Sequence, residues 1–254
     1  MNHTIKAVVR YDGTDFVGWQ IQPNGRTVQQ TLEEALSQIA GKPIKIAGAG
    51  RTDSGVHALG QVFSASWPDS VPLEKLHRSL NKMVGPEIRV ESIETAPDDF
   101  HASFSAAGKR YAYTIDQASY PDPLSVRYAW NVTWPFERKR LVELAQTLVG
   151  EHDFAGYCCS GSAAKTTVRT IHSITLQPGP VVGPLDTVNA FHLIIHGNGF
   201  LYKMIRNIMG TLVDVARGHL PESTIQERLE APAPYRGYTA PACGLFMQEV
   251  IYED

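Results

Sequence analysis

Residues 48–58 read Gly-Ala-Gly-Arg-Thr-Asp-Ser-Gly-Val-His-Ala and set one carboxylate, Asp53, in a short glycine-rich loop. Arg51 stands two residues before it and Gly55 two after. The glycines free the backbone for positive φ angles and for close approach of a ligand. Arg51 brings a permanent charge that can hold Asp53 ionised and oriented. An ionised carboxylate in such a loop is a candidate nucleophile. Most isolated Arg-x-Asp triplets are exposed turns with an incidental ion pair; the unusual string around this one points to chemistry.

The elements that must position this loop are written in the hydrophobic pattern. Residues 4–11 form a β-branched strand, and 28–40 carry Val28, Leu32, Ala35, Leu36 and Ile39 at helical spacing behind Thr27 as N-cap. Residues 61–67 alternate as a strand, 73–83 present Leu73, Leu76, Leu80 and Met83 on one helical face, and 87–95 are strand-like. The second half repeats the logic. It has strands at 110–116 and 127–133, a helix at 137–149, strands at 168–177 and 187–196, helices at 201–217 and 222–230, and a last strand at 245–252. Residues 178–186, rich in Pro and Gly, read as a long hairpin turn. His152 and Asp153 read as a helix-terminating turn. The order fits an α+β class of mostly antiparallel strands with helices on one side.

At 254 residues and 43% hydrophobic, the chain can bury a sizeable core. It has no stretch of the roughly 20 apolar residues a membrane span needs, and its first residues lack a signal peptide's zones. Three cysteines, two of them adjacent at 158 and 159, suggest reduced thiols and a cytoplasmic protein. His152, Cys158 and Cys159 lack the spacing of a zinc site. Both Gly-x-Gly starts, at 48 and 197, lack the third glycine of a dinucleotide fingerprint. Neither a metal nor an organic cofactor is expected. A glycosidase would want a second acid in a motif near Asp53, and none stands there. The net charge of −3 is awkward for a nucleic-acid binder, but residues 101–140 hold six basic and three acidic side chains, and 161–220 five and two.

The loop is similar to the catalytic loop of the pseudouridine synthases, most closely of the tRNA pseudouridine synthase A branch. Five further strings resemble that family, in its order. They are Tyr11-Asp12-Gly13-Thr14 through Gly18-Trp19-Gln20-Ile21-Gln22-Pro23-Asn24 with Arg26-Thr27-Val28-Gln29-Gln30; Lys109-Arg110-Tyr111-Ala112-Tyr113; His152-Asp153-Phe154; Gly197 through Asn207; and Ala240-Pro241-Ala242-Cys243-Gly244-Leu245. Residues 155–160 depart from the family's usual order after His-Asp-Phe.

The resemblance implies a pseudouridine synthase fold of two ferredoxin-like halves, 1–105 and 106–254, whose sheets join and whose active cleft lies between them. It implies isomerisation of uridine to pseudouridine at positions 38, 39 and 40, in the anticodon stem-loop of tRNA, by a homodimer that needs no cofactor. Asp53 is the implied nucleophile, attacking either the base at its sixth carbon or the sugar at its first; the sequence does not choose. Arg206 is the implied counter-cation of Asp53, which leaves Arg51 to contact phosphate or displace stacked bases. Tyr111 is the implied partner of the extruded base, and Leu245 the implied apolar residue of the pocket floor. Tyr113, Phe100 and Phe104 are expected in the core, His57 as a structural loop residue, and Lys109, Arg110, Lys165, Arg169 and Lys203 as candidate phosphate contacts.

Overall fold

The computed structural model describes residues 2–161, 164–183, 188–230 and 235–253. These form ten strands and five α-helices, an α+β protein. The chain divides into two compact units, Met1–Ala107 with Phe246–Asp254, and Gly108–Leu245.

In the first unit, β1 (Asn2–Tyr11) lies antiparallel to β3 (His57–Pro68) on one side and to β4 (Ile88–Ala96) on the other. β2 (Ile46–Gly48) pairs antiparallel with β3. Alternate residues of β1, Ile5, Ala7 and Val9, are fully buried, as a half-covered strand requires. Helix α1 (Val28–Ala40) begins where its N-cap predicts: Thr27 Oγ1 accepts the Gln30 N–H at 3.2 Å. It buries Val28, Leu32, Ala35 and Leu36 on one face. Its one buried carboxylate, Glu33, is compensated by Lys45 Nζ at 2.7 Å and by the Ile46 N–H at 3.2 Å. Helix α2 (Leu73–Met83) covers the predicted span and packs Leu76 and Leu80 inward.

The expected second half runs from 106 to 254, yet Phe246–Asp254 clusters with the first unit. The reason is strand pairing. The last strand, β10 (Leu245–Tyr252), runs parallel to β3 through Phe246 opposite His57 and Met247 opposite Ala58. The Tyr252 hydroxyl donates to Ala102 O at 2.8 Å, tying its far end to the same unit.

In the second unit, β5 (Ala106–Asp116) pairs antiparallel with β9 (Ala190–Gly197), which pairs with β8 (Val168–Pro178), which pairs with β7 (Gly150–Asp153). A two-residue strand β6 (Trp130–Asn131) runs parallel to β5; the remainder of the predicted strand 127–133 is irregular. His152 and Asp153 lie in β7, not in a helix-terminating turn, and the Asp153 carboxylate caps a 3-10 turn by accepting the Ala155 N–H at 2.9 Å. Helix α3 (Arg138–Gln146) and helix α5 (Ser223–Glu230) flank α4 (Met204–Ala216), which is buried almost all round, Met204 to Val215. Part of the expected hairpin turn, 184–186, lies outside the described residues. No helix among the described residues is long and apolar enough to cross a membrane.

Candidate active site

Asp53 is half-buried at the head of a β-turn in which its carbonyl accepts the Val56 N–H at 3.1 Å. Gly55 supplies the positive φ, 78°, at the turn's third position. Arg51 is exposed and Thr52 buried, so the loop alternates a solvent-facing cation, a buried hydroxyl and the carboxylate.

The loop is held by the Tyr11–Trp19 string, the feature that the sequence offered only as a resemblance. The Trp19 N–H donates to Thr52 O at 3.1 Å, the Gly55 N–H to Phe16 O at 3.3 Å, and Ser54 Oγ to Phe16 O at 3.3 Å. The Tyr11 and Thr52 hydroxyls are hydrogen-bonded at 2.8 Å, and Gln61 Nε2 donates to Gly50 O at 2.8 Å. Gly13 passes so close that a Cβ there would meet Val56 O at 2.0 Å. The Gly50, Thr52 and Asp53 carbonyls and the Gly55 and Val56 N–H groups are thereby committed before substrate arrives, which is how a carboxylate is pre-organised.

His57 is 1% exposed and its ring stacks on Phe246, 4.7 Å between centroids at 22°. Its Nδ1 accepts the Gly13 N–H at 3.0 Å. Asp12 Oδ1 also lies 3.2 Å from that nitrogen. The two contacts compete, and the backbone N–H, a fixed donor, decides: Nδ1 is an acceptor, and the Asp12 carboxylate serves the Thr14 N–H and hydroxyl at 3.0 and 2.6 Å. His57 is a structural ring at the root of the loop.

The second unit holds the other candidates. Tyr111 lies on β5 opposite Ile195, 7% exposed, edge-on to Phe200 at 5.2 Å and 81°. Tyr113, on the same face at period two, donates its hydroxyl to Pro241 O at 2.7 Å. Burial drives the Tyr113 hydroxyl well above the usual tyrosine range. Tyr113 is therefore committed to the fold. Arg206 sits in the first turn of α4, half-buried, with Nε donating to Ala240 O at 2.8 Å while the Ala240 N–H donates to Arg206 O at 3.1 Å. This exchange fixes the guanidinium's direction from both ends. Leu245 is buried at the start of β10, just after the 3-10 turn Ala242–Gly244.

Two expectations fare differently. Phe100 packs on Tyr252 at 5.2 Å, but Phe104 is 86% exposed and stacks on His101 at 4.2 Å, so it is no core residue. Lys203, immediately before α4, takes a left-handed conformation with φ 59°, alone among the described non-glycine residues. Nothing in its spacing signals that.

Comparison with known proteins gives this arrangement its family. A family model described as tRNA pseudouridine synthase matches residues 7–105 and 144–253. A tRNA pseudouridine synthase A of Syntrophotalea carbinolica is 39% identical over 249 residues, 98% of this chain and 96% of that protein. One from Latilactobacillus sakei is 37% identical across 100% of both chains. Among solved structures, a chain of a Cbf5-Nop10-Gar1 complex superposes with a TM-score of 0.37 at 11% identity, over 82% of this chain and 44% of that one. The chain belongs to the tRNA pseudouridine synthase family, a family of isomerases.

Proposed function

We propose that this protein isomerises uridine to pseudouridine in the anticodon stem-loop of tRNA, with Asp53 as nucleophile. The bond between the sugar's first carbon and the base nitrogen breaks, the base turns, and a bond to the fifth carbon of the base replaces it. The proton on that carbon leaves and the ring nitrogen gains one, so no atom other than hydrogen is exchanged and no electron carrier is consumed. Asp53 attacks either the base or the sugar to hold the intermediate. Arg206 is the cation assigned to the carboxylate, Tyr111 to the base, Leu245 to the pocket floor and Arg51 to the RNA, each by its place in a family motif. The protein works in the cytoplasm as a homodimer, so that basic patches of two copies grip one tRNA.

The observation that carries the reading is the commitment of the Gly50–Val56 loop to the Tyr11–Trp19 string. It presents one half-buried carboxylate at a turn in a chain related over its whole length to tRNA pseudouridine synthases A. The test is release of tritium from tRNA labelled at the fifth carbon of uridine. Wild type should release it and Asp53→Ala should not, with both still binding tRNA. Binding without release by the wild type would mark a non-catalytic RNA-binding module instead.

A further inference from the structure

We propose that Lys109 and Arg169 form a binding site for one backbone phosphate of the substrate RNA, on the face of the second unit that carries Tyr111; the proposal rests on the tRNA reading above. Lys109, Gly197 and Ile171 stand in register across β5, β9 and β8. Side chains alternate along a strand, so Lys109 shares its face with Tyr111, and Arg169 shares its face with Ile171. The two cations therefore stand on one face on either side of the middle strand, Lys109 opposite Gly197 and Arg169 beside Gly199. Lys109 and Tyr111 are two residues apart, about 7 Å along the strand, on the scale that separates a base from its own backbone phosphate.

The pair is electrostatically unfavourable as it stands. Both side chains are half-buried. Burial, and next the Arg169 guanidinium, pull the Lys109 ammonium below the usual lysine range. Burial also lowers Arg169. Neither has a carboxylate partner among the described residues, and Asp153, on the strand paired with β8, accepts the Ala155 N–H. Two like charges kept together and partly dehydrated cost stability unless an anion completes the site.

Arg169 is also posed for that anion. Its Nη1 donates to Thr166 O at 2.9 Å and to Val168 O at 2.6 Å, which immobilises the guanidinium. The Nε–Nη2 edge remains, and Gly199 is the residue beside Nε; even a Cβ there would stand 3.7 Å away. That edge is the fork that takes two oxygens of a phosphate, while Lys109 adds a point charge. Gly199 leaves room beside the guanidinium for a sugar-phosphate chain to run over the strand ends, while the Phe200 ring covers Gly197. On a chain of net charge −3, such a focused pair contributes more to RNA affinity than the average surface does.

Lys109→Ala, Arg169→Ala, the double variant and Lys109→Arg test the site, read by tRNA affinity against salt, by kcat and KM, and by Tm. Each alanine should weaken tRNA binding about fivefold to tenfold at low salt and flatten the slope of log affinity against log salt by about one. KM should rise with kcat within about threefold of wild type. The double variant should lose less than the product of the single losses, since both residues serve one phosphate, and Lys109→Arg should restore affinity. Tm of Lys109→Ala should hold or rise, because a repulsion is relieved; a purely structural lysine would lower it. Unchanged affinity and slope in folded variants would overturn the site. So would inorganic phosphate raising the wild-type Tm at micromolar concentration while the variants bind tRNA normally, since that marks a free-phosphate site. Asp53→Ala is run beside them: turnover surviving in it sinks the nucleophile reading and leaves the phosphate site standing on its binding data.

Discussion

The hydroxyls of Tyr11 and Thr52 meet at 2.8 Å in the interior, one from the end of the first strand and the other from the residue next to Asp53. Burial raises the Tyr11 hydroxyl to about 12, so it remains protonated throughout the working range. Tyr11→Phe keeps the ring and deletes the hydroxyl. We expect kcat to fall about tenfold with KM little changed, and stability to drop by about 1 kcal/mol. An unchanged kcat would show that the loop holds its shape without this bond.

The same tyrosine gives an alkaline signature. Its folded value lies above its unfolded value of 10.0, so its contribution to stability is intact below pH 10 and is lost as pH rises toward 12. Two units correspond to roughly 2–3 kcal/mol. Tyr11→Phe should therefore flatten the fall in stability between pH 10 and 12 measured by urea unfolding. An identical slope in the variant would contradict the assignment.

Asp53→Ala should abolish turnover, leaving less than about one-hundredth of the wild-type rate, or nearly 3 kcal/mol of barrier. Its tRNA affinity should stay within about tenfold, roughly 1.4 kcal/mol. A larger residual rate in single-turnover tritium release would remove Asp53 from the chemistry.

His57→Gln separates a structural ring from a general base. The variant loses the stacking on Phe246 and the acceptor for the Gly13 N–H. It should lose about 1–3 kcal/mol of stability and keep the shape of the pH–rate profile below its lowered Tm. Loss of one limb of that profile would make His57 a proton carrier after all.

Tyr113→Phe and Tyr111→Ala divide the two tyrosines of β5. The first breaks only the bond to Pro241 O, so Tm should fall while kcat holds. The second removes the ring assigned to the base and should cost about 1–3 kcal/mol in kcat/KM, the worth of one stacking contact. The reverse pattern would exchange their roles.

Much of the first unit was legible because its helices announce themselves locally. Thr27 caps α1, and α1 and α2 carry their apolar residues at helical spacing, so both helices span the residues the pattern marks. Helix α3 ends at Gln146, short of the expected 149, because Thr147, Leu148 and Val149 bond three residues back and tighten the chain before Gly150. The strands β2 and β7 were missed because each is short and defined by its partner rather than by its own residues. Phe104 looked like core only because hydrophobicity was all there was to judge it by. Of the candidate site, the string at 48–58 singles out Asp53 and Arg51 as candidates unaided. Tyr111, Arg206 and Leu245 become candidates only through the family's pattern, because residue type alone does not set Tyr111 apart from Tyr113.

The pairing of Phe246 with His57 makes the first unit discontinuous, with the whole second unit spliced into it. A ribosome must therefore translate past residue 246 before the ring at the base of the Asp53 turn, at residue 57, acquires its cover. Nascent or prematurely terminated chains carry an unfinished sheet edge and an uncovered imidazole, a substrate for chaperones and proteases rather than a working half-enzyme. Competence is thus acquired late and all at once.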